Sequence, residues 1–515
     1  MQSNMNIING HFITLENNAD DINSITIENG KIKSFNSPNP NFKTIDIKNN
    51  IVIPGFIDSH FHLKNYGKRQ DMINLKKIDS IDQIVKLIRQ KISQHPDIKW
   101  IEGFGWDHNL WDGNYPNSEI LNSISDKHAI VLTRIDGHSM WVNNLAIQES
   151  NYSVEELDSI NGASVINQCI LVDNAMDPIR KVMPNDDIGD VERWIKVAIE
   201  NANRMGITNV HDAWQDANIV AAIQNLINKD EMNLRCNGML GAAHTELLNR
   251  FFSNGHLISD LYTIRSVKAF IDGALGSRGA ALLEPYSDDK HNCGLILISK
   301  DEFEDLAYRC YKNKFQLCTH AIGDKGNQFV LDTYNNALQD RESRWRIEHA
   351  QMVHPDDIDK FVPHQIIPSM QPSHCTSDMP WLEDRLGDHR LDRISKWRTF
   401  IDKGLKVAGG SDCPIETGNP LFEFYAACTR QDHSGYPAGG WQPQEKVNSM
   451  EALKMLTTWG AHAEFNEHRR GRISIGFDAD LTILSEDITQ CSPRAILNTE
   501  IIMTIVSGKI VYSAQ

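Results

Sequence analysis

The chain has 515 residues, of which 41% are hydrophobic and 23% are charged, and its formal net charge is -17. This composition is typical of a globular protein with a sizeable core and argues against long disordered segments. The excess of acidic residues repels phosphate backbones and anionic lipid headgroups, so we expect neither nucleic acid nor a membrane surface as a partner.

Both ends of the chain alternate apolar and polar residues, as β-strands with one buried face do. The alternating segments are residues 24–28, 31–35, 479–484, 501–506 and 509–512. Asn29-Gly30 separates the first two and is typical of a hairpin turn with positive φ. We predict one small β domain built from both termini, because edge strands gain by pairing with each other. Two separate β appendages are the alternative.

The next stretch, residues 51–57, is an apolar run that leads into His60-Phe61-His62. Alternate side chains of a strand point to the same face, so His60 and His62 can reach one metal ion at the end of the strand. Two histidines on one strand face are often ordinary polar or packed residues. The pair therefore becomes informative only together with distant ligands.

Residues 64–185 do not follow a regular repeat. The segment opens with a predicted helix whose start is marked by Ser80 and Gln83 as a capping box. Residues 103–111 then combine glycine, tryptophan and polar groups, and residues 133–138 follow a strand-like run. Loops of this kind supply aromatic walls and polar contacts when they cover a site. We interpret the segment as an insertion that covers the site.

From about residue 190, helical segments alternate with short apolar strands. The predicted strands are residues 207–211, 266–272, 315–320, 345–349, 366–370 and 405–412. One of the helices is preceded by a second capping box, at Ser299 and Glu302. The alternation predicts a parallel sheet with helices outside, and around eight such units would close a barrel.

Candidate metal ligands stand where these strands end. They are His60 and His62, then His320 and His349, and finally Asp412; Lys268 lies in the strand before His320. The C-terminal ends of barrel strands meet at one rim, so residues far apart in sequence become neighbours there. Each one alone is more often a core histidine or a helix cap. Together they form a nitrogen and oxygen ligand set suited to Zn²⁺ or a similar divalent ion.

With these residues in place, the chain resembles the amidohydrolase superfamily of metal-dependent hydrolases, in particular the branch of the N-substituted formamide deformylases. The motifs that carry the resemblance are Pro54-Gly-Phe-Ile-Asp-Ser-His-Phe-His62 and residues 103–107, 268–278, 319–324, 346–349, 370–374, 377–381 and 410–412. The resemblance covers essentially the whole chain. It implies an α/β fold with a distorted TIM (β/α)8 barrel over residues 54–464 and a small composite β-sandwich domain over residues 1–53 and 465–515.

The resemblance also implies roles for the ligands. His60, His62 and Asp412 would hold a buried ion, and His320 and His349 would hold a second position.

Lys268 has two interpretations. A cationic lysine cannot bind a metal, but a buried neutral lysine can react with CO₂ to give a carbamate that bridges two ions. The alternative is a cationic Lys268 paired with Asp272, and then a single metal. The expected cofactor is a divalent metal, Zn²⁺ first, as one ion or two.

The predicted reaction is hydrolysis of a carbon–nitrogen bond, other than a peptide bond, in an amide, N-formyl or N-acyl small molecule. A bound divalent ion lowers the pKa of water, and Asp412 is the predicted proton shuttle to the leaving nitrogen. The residues assigned to substrate contacts are Trp106, His138, Asp272, Arg278 and His374.

Two alternatives stay open. A mononuclear deaminase needs a glutamate as acid and base catalyst near the histidine of the fifth strand, where this chain offers Asp324 but no evident glutamate. A non-catalytic regulatory protein on the same scaffold is the other.

We expect a cytoplasmic protein with reduced thiols. The sequence has no apolar run that could span a bilayer, no secretory signal and no Cys-x-x-Cys pair among its nine cysteines. The expected partner is a small-molecule substrate, and a homo-oligomer is left open.

Overall fold

The computed structural model describes residues 4–16, 21–111, 113–135, 139–184 and 186–514. The chain divides into two compact units, one made of Met1–Leu63 with Ala198–Gln515 and the other of Lys64–Val197. The second unit begins where the sequence predicts the insertion and extends beyond residue 185, into the helix Ile188–Arg204. Among the described residues, no helix combines the length and apolar character that a membrane span requires.

The centre of the first unit is a sheet of parallel strands that curls into a barrel. Its eight parallel strands in the described chain are β1 (Phe56–Phe61), β2 (Ile207–Gln215), β3 (Arg235–Gly241), β4 (Tyr262–Phe270), β5 (Gln316–Ala321), β6 (Arg346–His349), β7 (Ile367–Met370) and β8 (Ala408–Gly409). A short ninth strand, Leu257–Ile258, pairs antiparallel with β4. Each strand pairs in parallel with the next one in this order. The predicted α/β barrel is confirmed.

The barrel closes just after β8. The amide of Asp412 donates to the carbonyl of His60 at 2.7 Å, and the amide of His62 donates to the carbonyl of Cys413 at 2.9 Å. The barrel is distorted, because β8 has only two residues and the register shifts between β1 and β2 and between β3 and β4. These backbone bonds set the ends of β1 and β8 side by side.

Helices connect the strands of both units. The α-helices of the described chain are Leu63–Asp71, Ile81–Gln94, Ser118–Asn122, Asn144–Glu149, Val154–Asp158, Asp177–Val182, Ile188–Arg204, Ala217–Asn228, Thr245–Asn254, Lys300–Lys312, Asp324–Ala337, Pro372–Leu386, Trp397–Asp402, Pro420–Thr429, Ser449–Met455, Thr458–Ala463 and Pro493–Asn498. The capping box predicted at Ser299 is present, with Ser299 and Glu302 each accepting from the other's backbone amide. At Ser80, by contrast, the side chain makes no capping hydrogen bond.

Two further sheets of the first unit combine the chain's termini. One consists of Met5–Ile8, Ser24–Glu28, Lys31–Phe35 and Lys43–Asp46, and the other of His11–Phe12, Ile51–Pro54, Leu481–Leu484, Ile501–Val506 and Lys509–Ser513. Ile7 and Ile25 of the first sheet share one buried core with Leu481 and Ile505 of the second. The sheets therefore form the composite β-sandwich that the sequence predicts.

The second unit has a sheet of its own. The described strands are Ile73–Asn74, Trp100–Trp106, Ala129–Arg134, Ser139–Val142, Ala163–Ile166 and Ile170–Asp173. One core contains Ile84, Ile88 and Leu132, and another contains Val131 and Leu171. Neighbouring residues of one strand, Val131 and Leu132, thus serve different cores, as the alternation of side chains along a strand requires.

Candidate metal centre

The ends of β1, β6 and β8 bring three candidate ligands together. Ligand atoms of His60, His349 and Asp412 all lie within 4.8 Å of one another, and all three residues are buried. His62 belongs to the same group, because its Nε2 lies 3.1 Å from Asp412 Oδ1. Nε2 of His60 lies 3.4 Å from the same oxygen. Imidazole nitrogens with a carboxylate oxygen are a donor set that Zn²⁺ and similar ions prefer, so the residues fit a divalent metal.

The outer ring nitrogens of two of these histidines are already engaged. Nδ1 of His60 lies 2.6 Å from Glu348 Oε2, and Nδ1 of His349 lies 2.8 Å from Gln371 Oε1. Because both partners are oxygen acceptors, each Nδ1 carries the proton and each Nε2 presents a lone pair. Such contacts orient metal-binding histidines in known sites. Both rings therefore present an unprotonated Nε2 that could bind a metal ion.

The protonation states fit the same role. Burial, with the nearby charge of Lys268, lowers the pKa of His60 to about 4. The same two causes lower the pKa of His320 to about 3. Both imidazoles are therefore neutral at neutral pH, and a histidine must be neutral to bind a metal.

Lys268 lies inside this group. Its side chain is completely buried, and Nζ lies 3.5 Å from Nε2 of His60. Burial lowers the pKa of Lys268, although the carboxylates of Glu348 and Asp412 act in the opposite direction. The lowered pKa favours the neutral amine that carbamate formation needs, and the chemical state of this lysine stays a prediction.

His320 approaches the cluster from β5. The centre of its ring lies 4.5 Å from that of His349 and 5.1 Å from that of Phe270. His349 in turn belongs to the tightest group, with His60 and Asp412, whereas the sequence placed it with His320 at a second ion. The distribution of ligands between one ion or two stays a prediction.

His374 is the predicted substrate contact that lies beside the centre. Its ring stacks on that of His349 with the centres 6.0 Å apart, and its Nε2 lies 4.0 Å from Asp412 Oδ2. This Nε2 is buried and has no hydrogen-bond partner within the described part of the chain. His374 therefore has a free polar atom close to the carboxylate.

Asp272 and Arg278 have other partners. Asp272 is 1% exposed, and its carboxylate accepts hydrogen bonds from three backbone amides at 2.8 to 3.0 Å. Arg278 forms a two-pronged pair with the carboxylate of Asp288, at 3.0 and 2.9 Å, in an exposed position. Oδ1 of Asp272 also lies 3.5 Å from Nε2 of the candidate ligand His320. The substrate contacts assigned to Asp272 and Arg278 stay predictions.

Two predicted contacts belong to the second unit. Trp106 is completely buried there, and its indole N–H donates to the carbonyl of Leu132 at 2.7 Å. A side chain without exposed surface cannot line a pocket, so Trp106 is a core residue of this unit. His138 lies outside the described residues.

Sequence reasoning missed the residues behind the ligands, above all Glu348 and Arg346. Neighbours on a strand normally point to opposite faces, which made Glu348 an unexpected partner for a cluster that contains His349. His349 has a φ of 74°, which breaks the alternation. A signal was present: two opposite charges, spaced by one residue in an apolar strand, are tolerated only when they are paired.

Comparison with known proteins agrees with this geometry. A model described as amidohydrolase family matches residues 43–512. The chain belongs to the amidohydrolase family.

This amidohydrolase is similar along its length to several proteins. YtcJ of Bacillus subtilis (strain 168), whose name describes it as a candidate amidohydrolase, is 29% identical over 98% of this chain and 98% of its own. The N-substituted formamide deformylase of Arthrobacter pascens is 22% identical over 92% of this chain and 90% of its own. An uncharacterized metal-dependent hydrolase from Pyrococcus furiosus superposes with a TM-score of 0.80 and 25% identity, over 95% of this chain and 100% of its own. The protein is therefore a hydrolase of the metal-dependent amidohydrolase superfamily.

Proposed function

We propose that this amidohydrolase cleaves a carbon–nitrogen bond, other than a peptide bond, in a small amide of the N-formyl or N-acyl class. The observation that carries the proposal is the position of Asp412. Its Oδ1 lies 3.4 Å from Nε2 of His60 and 3.1 Å from Nε2 of His62, and its Oδ2 faces His374 at 4.0 Å. The similarity to an enzyme named N-substituted formamide deformylase supports the N-formyl class.

The proposed cofactor is Zn²⁺, as one ion or two. The residues that would hold it are His60, His62, His320, His349 and Asp412, with Lys268 as a carbamate if two ions bind. When bound, the ion supplies a Lewis acid that polarises the substrate carbonyl and lowers the pKa of water.

The chain's own residues handle the proton and the developing charge. An amine is a poor leaving group unless its nitrogen is protonated, and a carboxylate beside the attacking water can carry that proton. Asp412 would take the proton from the water and deliver it to the nitrogen. His374, with a buried Nε2 that lacks a partner among the described residues, would donate a hydrogen bond to the oxygen that becomes negative.

The substitution Asp412→Asn tests the proton shuttle. Asparagine keeps the size of the side chain but cannot accept and return a proton, so we expect kcat to fall by about 10²- to 10⁴-fold. Asp305→Asn is the matched control, because the Asp305 side chain is 66% exposed on a helix outside the barrel. A near-normal kcat for Asp412→Asn on an identified amide would refute the shuttle.

The substrate class is tested by a screen of N-formyl, N-acyl and cyclic amides with Zn²⁺-loaded and metal-stripped protein. We expect release of an amine that requires the metal. Hydrolysis of an aromatic amidine, with none of the amides accepted, would replace the proposal with the deaminase. A protein that binds no divalent ion when purified without chelator would favour the non-catalytic alternative.

A further inference from the structure

Behind the candidate ligands, buried polar side chains form a continuous chain through the barrel. It leads from His60 to Glu348, then to Arg346, and from there to His211. We propose that Glu348 and Arg346 are positioning residues, which fix His60 in the orientation and tautomer that a metal ion requires. The inference rests on the proposed function only in taking His60 as a metal ligand.

Both carboxylate oxygens of Glu348 lie close to a partner. Its Oε2 lies 2.6 Å from Nδ1 of His60, and its Oε1 lies 2.7 Å from Nε of Arg346. A terminal nitrogen of Arg346 also donates to Oε2 at 3.0 Å. Glu348 and Arg346 both have no exposed surface. A buried carboxylate is stable as an anion only when such a partner neutralises it, so Arg346 keeps Glu348 ionised.

Arg346 is itself held from three other strands. The terminal nitrogen that contacts Glu348 also donates to the carbonyl of Ser59 on β1, at 2.6 Å, and to the hydroxyl of Ser369 on β7, at 2.7 Å. The other terminal nitrogen lies 2.8 Å from Nδ1 of His211 on β2. The planar guanidinium has donors fixed in several directions, as these partners on different strands require, whereas a lysine ammonium does not.

The consequence for His60 follows from hydrogen-bond chemistry. An ionised carboxylate can only accept, so Nδ1 of His60 must carry its proton and Nε2 must present its lone pair toward Asp412. A neutral amide at position 348 could turn either its oxygen or its NH₂ toward Nδ1 of His60, so it would not impose a single tautomer as the carboxylate does. In known metal sites, loss of such a partner weakens metal binding by roughly 10- to 100-fold.

A purely structural role for the pair has to be separated from positioning, and the first unit contains a matched pair for this purpose. Arg235 on β3 binds Asp480 through Nε at 2.6 Å and through a terminal nitrogen at 3.0 Å. Their side chains are 1% and 7% exposed, so this pair is buried in the same way. The remaining partners of Arg235 are Asp478 and the carbonyl of Asp260.

The experiment compares Glu348→Gln with Asp480→Asn in the full chain. Zn²⁺ affinity is measured by competition with a chelator, and the stability of the metal-free protein by thermal unfolding. Both substitutions remove one buried negative charge, so both are expected to lower the unfolding temperature. Only Glu348→Gln is expected to weaken Zn²⁺ binding, by about 10- to 100-fold. If Glu348→Gln does not fold, Arg346→Lys is compared with Arg235→Lys instead. Both substitutions keep the positive charge but lose the fork of donors, and only Arg346→Lys is expected to weaken Zn²⁺ binding.

The outcomes separate this inference from the proposed function. Unchanged Zn²⁺ affinity in Glu348→Gln, or an equal loss in Asp480→Asn, would show a structural role only and overturn the inference. If the wild type binds Zn²⁺, Glu348→Gln weakens that binding, and no amide is hydrolysed, the inference stands and the proposed reaction fails. If the wild type binds no Zn²⁺, both fail.

Discussion

At the scale of single residues, the candidate centre contains strained backbone. His349 and Asp412 have φ angles of 74° and 54°, in the left-handed region that residues with a β-carbon rarely occupy. Such a conformation costs on the order of 1–3 kcal/mol and persists only where the surroundings impose it. Both residues belong to the three-membered ligand cluster. The strain therefore falls on the groups whose direction matters for binding an ion.

Lys268 offers a direct chemical test. If it is a carbamate, Lys268→Ala should lose activity, and short-chain carboxylic acids should restore part of it by placing a carboxylate where the carbamate was. The measurement is kcat/KM and bound metal per chain, with and without propionate.

Lys268→Met is the matched control for this rescue. Methionine keeps most of the side-chain volume and leaves no room for the added acid, so its activity should stay low at every propionate concentration. If propionate does not restore the activity of Lys268→Ala, the carbamate is not supported.

At the scale of elements, the apolar strands were the predictable part. Residues 315–320, 345–349 and 366–370 were predicted, and the structure has Gln316–Ala321, Arg346–His349 and Ile367–Met370. Residues 315–320 and 366–370 are recognisable because a parallel strand buried on both faces is a short, mostly apolar run between turns. Residues 345–349 are recognisable by their place in the alternation of helices and strands. Their ends then located the histidines correctly.

Two other strands with buried polar residues were predicted poorly. β3 contains Arg235 and Asn237 and was not recognised, and β2 was expected to end at His211, although it continues to Gln215. The reason is physical: Arg235 is tolerated inside because Asp480 neutralises it, from 245 positions further along the chain. A local pattern cannot show a partner at that distance, and the same limit hid the contact of Glu348 with His60, 288 positions away.

Asp478 lies where the terminal β-sandwich meets the barrel. It accepts from Arg469 at 2.9 Å and from Arg470 at 3.1 Å, and it lies 3.4 Å from Arg235 and 3.3 Å from Lys31. Burial alone would raise the pKa of Asp478, but Arg235, Arg469 and Arg470 together lower it from 3.8 to about 2. The carboxylate therefore stabilises the fold in its ionised form.

The pH dependence of stability follows from this shift. The folded-state pKa lies below the unfolded value, so the contribution of Asp478 is complete above about pH 4 and is lost as the pH falls toward about 2. Asp478→Asn should lower the free energy of unfolding by about 2 kcal/mol at pH 7, and its difference from the wild type should shrink on acidification.

Denaturant unfolding between pH 3 and pH 7 measures this difference, and Asp359→Asn serves as the control. Asp359 is 75% exposed in a surface pair with Lys403, so its loss should matter little at any pH. A difference for Asp478→Asn that does not change with pH would contradict the predicted role.

At the scale of the whole molecule, the candidate metal ligands come from distant parts of one unit. His60 and Asp412 are 352 positions apart in numbering, yet the amide of Asp412 bonds to the carbonyl of His60 at 2.7 Å. A metal ion held by both would bind the folded barrel and not the unfolded chain. Binding of this kind stabilises the fold by an amount set by the ion concentration relative to its Kd.

Metal removal should therefore lower the stability of the protein measurably. At a free Zn²⁺ concentration about 100-fold above Kd, the expected gain in unfolding free energy is about 2.7 kcal/mol, and chelation should abolish it. Calorimetry with and without chelator measures the shift, and hydrogen exchange locates it, with the gain in protection expected in β1, β6 and the residues after β8. His60→Ala keeps the rest of the ligand set and should show a much smaller shift. An equal Zn²⁺-dependent shift in His60→Ala would place the ion elsewhere, because a metal that needs Nε2 of His60 cannot stabilise a barrel that lacks it.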